Sequence, residues 1–267
     1  VFICTTIITI VNVKEKPTNI GGGIELKFKD IGRILFTNKE LFSYIVILVT
    51  FFLSTQIINS ILIYYFNYVT ESKGLFQLYN GVGFVEIIGL LIFPKIAKWL
   101  SREKVFPLAT FFVVVGLLIL LGSGYIAPKN AILVVIGTAF IKMGSGFIMG
   151  IITVSIADVI DYSEVKFGQR NESVITSTQT FLMKTAMALS GLITGWGLSL
   201  FNYQPGEPQS DFTKTGIRII MCVFPIIFVL ISYLVYRFSY NLKGAFLKDI
   251  VNILNNRKKE KMSDDKN

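Results

Sequence analysis

Lys184 is the charged residue of this chain that most needs a polar partner, because it lies inside a long apolar stretch. An isolated ammonium group in hydrocarbon costs from about 3 to more than 10 kcal/mol, so such a lysine normally faces a polar cavity or an opposite charge. One stripe of the helix, traced through Lys184 by alternating steps of three and four residues, carries no large apolar side chain; its other members are Ser173, Ser177, Thr180, Ala188, Gly191 and Gly195. A face turned to lipid would carry large apolar side chains. We therefore predict that this face meets protein or water; the alternative is a structural lysine neutralised by an acid on a neighbouring helix.

Two further charges, Glu86 and Lys142, also stand near the middle of apolar stretches. Each should face the interior of a helix bundle and find a partner there. A Glu86–Lys142 pair or a Glu86–Lys184 pair would satisfy both charges. A role in binding a proton is the other interpretation. The sequence leaves these alternatives open.

A charged segment at residues 158–172 directly precedes the stretch that contains Lys184. Its charged members are Asp158, Asp161, Glu164, Lys166, Arg170 and Glu172. A solvated loop is the usual explanation for a run of charges. The alternative is a set of ion pairs that closes one end of the protein in one conformation and releases in another.

The composition indicates an integral membrane protein. Of the 267 residues 52% are hydrophobic and only 16% are charged, which is too apolar for a soluble domain with a charged surface. The net charge of +9 does not indicate nucleic-acid binding, since the basic residues lie between apolar runs and near the C-terminus. Cys4 and Cys222 are isolated, histidine is absent, and no nucleophile elbow or phosphate-binding loop is present. We therefore predict no enzyme activity, cofactor or metal site.

The apolar runs predict an all-α bundle of transmembrane helices. Residues 1–13 are too short to span a membrane and are interpreted as the end of a preceding helix of a longer chain, followed by a polar linker at 14–40. The bundle occupies residues 41–239, and 240–267 form a tail. Six candidate spans lie at residues 41–69, 75–97, 105–125, 131–157, 173–199 and 216–238.

The basic residues predict the orientation of the bundle. If the linker is cytoplasmic, 20 of the 26 Lys and Arg residues fall on the cytoplasmic side and four on the other, with Lys142 and Lys184 inside spans. This asymmetry places the linker, residues 158–172 and the tail in the cytoplasm. We therefore expect a multi-pass protein of the cell membrane with a cytoplasmic C-terminus.

A resemblance to a known family is carried by the stretches IYYFNYV at 63–69, FPKIAKWLSR at 93–102, ADVIDYSEVKFGQRNES at 157–173 and STQTFLMK at 177–184. They resemble the glycoside-pentoside-hexuronide:cation symporters, a sugar-transporter family of the major facilitator superfamily. The last two, in this order and spacing, are the most specific. The resemblance covers residues 41–240 and is to the C-terminal half of such a transporter.

The resemblance implies a sugar and cation site that includes Lys184, with Gln179 and Thr180 preceding it as in the family motif. Gln56 falls where relatives place a polar residue, and Met149 where an aromatic sugar contact is expected. The resemblance also implies a cytoplasmic gating cluster, which would contain Asp158, Asp161, Glu164 and Arg170.

Glu86 and Lys142 replace neutral polar residues of the family pattern and are the candidates for ion coupling. Their presence favours a proton over sodium as the coupling cation. The resemblance further implies a small sugar as substrate, alternating access, and an N-terminal six-helix half as the partner of this half within the lipid bilayer. Two rival functions remain open: a major facilitator transporter with a non-sugar cargo, and an inactive truncated or sensor membrane protein.

Overall fold

The computed structural model describes residues 38–168 and 172–264, with side chains described as far as residue 257. The predicted preceding helix, most of the linker, Cys4 and Arg170 lie outside the described residues. Within them the chain forms helices α1 Lys39–Tyr64, α2 Lys73–Gly81, α3 Phe84–Leu100, α4 Arg102–Ile126, α5 Ala131–Phe167, α6 Glu172–Leu200, α7 Asp211–Arg218, α8 Phe224–Phe238 and α9 Gly244–Asp264. Single π-helical turns, Tyr65–Val69 and Ile219–Val223, follow α1 and α7.

Six helical segments of the described chain are long and apolar enough to cross a membrane. They are Lys39–Val69, Lys73–Leu100, Arg102–Ile126, Ala131–Phe167, Glu172–Leu200 and Asp211–Phe238. The predicted all-α class and six spans are confirmed. Each segment is longer than predicted, because helical hydrogen bonding continues past the apolar residues into the polar ends. We call the end of the bundle near Lys39, Ser101 and Gly168 the tail end, and the end near Thr70 and Asn202 the far end.

Helix α5 forms the centre of the bundle and packs against α3 and α4, while α1 packs against α6 and α8. Glycines allow the closest approaches. A Cβ on Gly116 of α4 would lie 2.5 Å from the carbonyl oxygen of Gly137 on α5, and one on Gly144 would lie 2.5 Å from that of Ala109. Only glycine leaves room for backbones this close, so these residues fix how α4 sits on α5.

The second span is interrupted, which the sequence pattern did not predict. Helix α2 ends at Gly81 and α3 begins at Phe84. Between them the amide of Gly83 donates to the carbonyl oxygen of Asn80 at 3.0 Å, a tighter turn than that of an α-helix. The interruption therefore creates a helix N-terminus inside the span, only two residues before Glu86.

The charged segment that could have been a solvated loop is mostly helical. Helix α5 continues to Phe167 and ends where Gly168 adopts a left-handed φ of 72°. Asp158, Asp161 and Glu164 therefore lie on the last turns of α5 and are only partly exposed. The loop interpretation is wrong for residues 158–167. Val159, Ile160 and Ser163 are buried there, so the packed side of α5 continues past the charged residues and the segment stays helical.

The tail also contains a helix, α9, attached to the tail end of the bundle. The backbone amide and the side-chain amide of Asn241 each donate to the carboxylate of Glu40 at 2.8 Å. On α9, Ile250 and Leu254 are buried, and α9 packs against α5. The tail is therefore an ordered part of the described structure at the end where α1 begins.

Candidate functional site

A polar cavity lies between α1, α2, α3, α5 and α6. Its volume is about 260 Å³. It is lined by Phe51, Phe52, Thr55, Gln56, Ile58, Asn59, Tyr79, Glu86, Ile141, Lys142, Ser145, Met149 and Met183. Four residues predicted from the sequence for two different roles thus share one cavity: Gln56 and Met149 for sugar binding, Glu86 and Lys142 for ion coupling.

Glu86 and Lys142 form an ion pair in this cavity. The ammonium nitrogen Nζ of Lys142 donates to Oε2 of Glu86 at 2.9 Å. The Lys142 side chain is 20% exposed and that of Glu86 is 39% exposed, so the carboxylate is the more accessible partner. Of the two pairings that the sequence left open, the structure contains Glu86–Lys142. The pair gives the cavity one positive and one negative charge.

Close packing of α3 on α5 positions this ion pair. A Cβ on Gly146 of α5 would clash with the carbonyl oxygen of Glu86, and one on Gly89 of α3 would lie 2.9 Å from the carbonyl oxygen of Met143. Gly146 lies one helical turn from Lys142, so the point of closest approach is also where the two charges meet. Gly146 and Gly150, one turn apart on α5, thus allow α3 to pack closely on α5.

Glu86 directly follows the interruption of the second span, in the first turn of α3. The backbone amides of Val85 and Glu86 donate there to the carbonyl oxygens of Val82 and Gly83 at 3.0 and 3.1 Å. The interruption is therefore a tight turn whose backbone hydrogen bonds are made, and it sets where the Glu86 side chain leaves the helix.

The α1 side of the cavity supplies amides that can bind hydroxyl groups. The side-chain nitrogen Nδ2 of Asn59 donates to Oε1 of Gln56 at 3.0 Å, which leaves the Gln56 nitrogen and the Asn59 oxygen for other partners. Phe52 and the ring of Tyr79 provide apolar faces. Ligand sites typically combine such apolar walls with a few polar groups that fix orientation.

Lys184 lies on α6 one residue after Met183, which lines the cavity, but Lys184 itself is not part of the cavity wall. Consecutive residues of a helix point about 100° apart, so Lys184 is directed away from the Met183 side. Its side chain is exposed. Among the described residues it has no ion-pair partner, so the neutralising acid of the structural alternative is not found there.

The predicted polar stripe on α6 is exposed along its whole length. The exposed members are Ser173, Ser177, Thr180, Lys184, Ala188, Gly191 and Gly195. A Cβ on Gly191 or on Gly195 would meet no described atom within 4 Å. Gln179 is half-buried on a different side of the helix. The stripe thus remains uncovered by the helices that the structure describes.

The other faces of α6 differ from this stripe. Ala186, Ser190 and Thr194 are buried, and the hydroxyl oxygens of Ser190 and Ser60 of α1 lie 3.4 Å apart. Phe181 and Trp196 are 68% and 66% exposed and form a large apolar face. Helix α6 therefore has one face packed on α1, one large apolar face, and between them the stripe with Lys184.

Asp158 of the predicted gating cluster forms an ion pair that the sequence analysis did not anticipate. Oδ2 of Asp158 lies 2.6 Å from Nη1 of Arg102, the first residue of α4. The Asp158 side chain is only 13% exposed. In the sequence, Arg102 is one of the basic residues that predict the orientation of the bundle. Its pairing with Asp158 has no signal in residues 158–172, because the fold alone brings the start of α4 to the end of α5.

These elements define a class of protein: a polytopic helix bundle with a charged, amide-lined cavity at its centre and a polar face on one outer helix. A family model described as MFS/sugar transport protein matches residues 1–244. The chain belongs to this family, the glycoside-pentoside-hexuronide:cation symporters of the major facilitator superfamily.

Three relatives illustrate the similarity. The chain is 28% identical to the uncharacterized symporter YnaJ of Bacillus subtilis, over 96% of this chain and 55% of that protein. It is 28% identical to the isoprimeverose transporter of Lactiplantibacillus pentosus, over 82% of this chain and 46% of that protein. It is 27% identical to a putative sulfoquinovose importer of Escherichia coli, over 76% of this chain and 43% of that protein. The chain thus spans about half the length of these relatives.

Proposed function

We propose that this chain is the C-terminal six-helix half of a cation-coupled sugar carrier that works by alternating access. The observation that carries the proposal is the cavity in which Gln56, Glu86, Lys142 and Met149 meet. A sugar would bind there, between this half and an N-terminal half, near the middle of the bilayer. Both the similarity to named sugar transporters and the amide-lined wall support this cargo.

The size of the cavity supports a site completed by a second half. Its volume of about 260 Å³ is below the roughly 300 Å³ at which ligand pockets usually begin. The uncovered stripe on α6 adds to this argument, because small and polar side chains gain nothing from contact with lipid tails. We propose that the N-terminal half covers the stripe with Thr180 and Lys184, and that Lys184 donates hydrogen bonds to hydroxyl groups of the cargo or to an acid on that half. Gln179 lies off the stripe, one turn before Met183, and would face the cargo from the side of the cavity.

The orientation of the carrier is also part of the proposal. The excess of basic residues supports a cytoplasmic tail end in a protein of the cell membrane. Asp158, Asp161, Glu164 and Arg170 would then belong to the cytoplasmic gate. Arg102 joins this set, because its ion pair with Asp158 ties the start of α4 to the end of α5 at the tail end.

Breaking the Arg102–Asp158 pair is expected to open the tail end more often. Removal of the arginine leaves a half-buried carboxylate without its cation, which destabilises the conformation that contains the pair. In the complete carrier with Ser155→Cys below the pair, Arg102→Gln should raise the rate of labelling by a membrane-impermeant thiol reagent about tenfold. The charge-swapped variant Arg102→Asp with Asp158→Arg should return the rate towards that of the parent. Equal labelling in all three proteins would contradict the gating role.

Sugar uptake by the complete carrier tests the proposed function. Vesicles that contain it should accumulate at least one labelled galactoside, xyloside or glucuronide above the external concentration when a proton or sodium gradient is imposed. Accumulation should vanish when the gradient is collapsed, because the coupled ion supplies the free energy. Lack of uptake of every sugar, with gradient-driven uptake of an unrelated cargo, would favour the alternative of a non-sugar transporter. Absence of any uptake would favour an inactive or sensor protein.

A further inference from the structure

The ion pair in the cavity has a consequence for the charge of the cargo. The cavity contains one carboxylate, Glu86, and one ammonium, Lys142, within 2.9 Å of each other. Its other polar wall groups are neutral: the amides of Gln56 and Asn59 and the hydroxyls of Thr55, Tyr79 and Ser145. The cavity as a whole is therefore electrically neutral, although it contains a lysine.

The two partners are not equally accessible to a cargo. The Glu86 side chain is about twice as exposed as that of Lys142, so a molecule in the cavity meets the carboxylate first. A carboxylate accepts hydrogen bonds from hydroxyl groups and repels an anion, and the repulsion is strong where water is scarce. Lys142, meanwhile, has its charge offset by Glu86, so an anion gains less from it than from an unpaired ammonium.

We propose that Glu86 is a specificity-determining residue: by neutralising Lys142 it makes the site select uncharged sugars and reject sugars that carry a carboxylate or sulfonate. The inference rests on the proposed function, that this cavity binds a sugar. The charge of the cargo is a real choice within the family, since one relative is an isoprimeverose transporter and another a putative importer of sulfoquinovose.

The inference predicts an inversion of preference when the carboxylate alone is removed. Glu86→Gln keeps the size of the side chain and an oxygen that can accept from Lys142, but it changes the net charge of the cavity from zero to plus one. Anionic cargo then gains an unpaired ammonium and loses a repelling carboxylate. We expect the ratio of hexuronide to neutral glycoside transport to rise about tenfold or more.

The test compares cargoes that differ only at one carbon. Vesicles with the complete carrier are preloaded with unlabelled sugar, and counterflow of labelled methyl glucoside against methyl glucuronide, and of methyl galactoside against methyl galacturonide, is measured without ion gradients. Counterflow needs no driving ion, so a defect in coupling does not affect the readout. Lys142→Gln should retain the preference for neutral sugars, and the double variant Glu86→Gln with Lys142→Gln should return the ratio towards that of the parent.

A matched control is available on the surface of the same protein. Glu71 is paired with Lys214 at 3.0 Å and is 55% exposed at the far end. Lys214 holds the pKa of Glu71 below its usual range, so Glu71→Gln also removes the charge of a lysine-paired carboxylate, but outside the cavity. This variant should leave the ratio unchanged.

Three results would overturn the inference while leaving the proposed function intact. The first is a parent carrier that prefers the hexuronides to the neutral glycosides. The second is a Glu86→Gln variant that transports with an unchanged ratio, and the third is an altered ratio that persists when Lys142 is also replaced. Failure of the parent to exchange any sugar would instead contradict the proposed function itself.

Discussion

Replacement of Lys184 by Ala is expected to lower sugar accumulation by the complete carrier about tenfold to a hundredfold. A hydrogen bond made by a charged group is worth about 1.5–3 kcal/mol, which corresponds to this range. The reason lies in the position of Lys184 on the exposed polar stripe of α6, where the described residues supply no acid to neutralise it. A charged side chain within a membrane span normally contacts a partner, and for Lys184 the candidates are the cargo, the coupling ion and an acid of the other half. Accumulation is measured as the internal-to-external ratio of labelled sugar under an imposed gradient.

A matched control distinguishes this effect from damage to α6. Leu192 is 64% exposed on the large apolar face of the same helix, so Leu192→Ala should leave accumulation nearly unchanged. Lys184→Met, which keeps the length of the side chain but removes its charge, should behave like Lys184→Ala. Undiminished accumulation in both lysine variants would exclude Lys184 from the transport site. So would a spin label at position 184 that reports contact with lipid tails.

Replacement of Glu86 by Gln is expected to abolish accumulation driven by a pH gradient while sugar exchange continues. If Glu86 carries the coupling proton, which is the alternative to a Glu86 that stays ionised beside Lys142, a glutamine that cannot bind or release a proton separates sugar movement from ion movement. The internal sugar concentration should then only equal the external one. Exchange persists because the cavity still contains the amides of Gln56 and Asn59.

The control for this prediction is again Glu71→Gln, which should accumulate sugar as the parent does. Retained pH-driven accumulation in Glu86→Gln would remove Glu86 from the coupling step. If Glu86→Gln loses the accumulation driven by a sodium gradient and not that driven by a proton gradient, sodium is the coupling ion. The structure gives a physical reason to examine this residue: it is the carboxylate closest to Lys142, at the start of a helix inside a span.

The sequence predicted the parts of the site that depend on local pattern. The polar stripe on α6 could be found because a helix repeats its faces every three to four residues, and the described helices leave this stripe exposed. Glu86 and Lys142 could be found because a charge within an apolar run is conspicuous. Met149 and Gln56 came from resemblance to a family, and they line the same cavity as the charged pair.

Other features had no signal of this kind. Asn59 and Tyr79 line the cavity, yet each is an ordinary polar residue in a helix. The interruption before Phe84 lies within one predicted span, and glycines such as Gly81 and Gly83 occur in continuous helices as well. The extension of α5 to Phe167 has no signal because charged residues usually mark the end of a span.

By itself the sequence determined that residues 41–239 contain six candidate membrane spans, because about 20 apolar residues in succession can only be accommodated in a bilayer or a core. It also determined which charges must find partners. Only the tertiary structure decided which residues those partners are. Lys142 pairs with Glu86 and Asp158 with Arg102, in each case from a helix 56 residues away. Such pairings depend on which helix faces meet. Glycines such as Gly146 set that contact because they let two backbones approach closely. Which helix approaches a given glycine is decided by the packing of both helices and cannot be read from the sequence of either one.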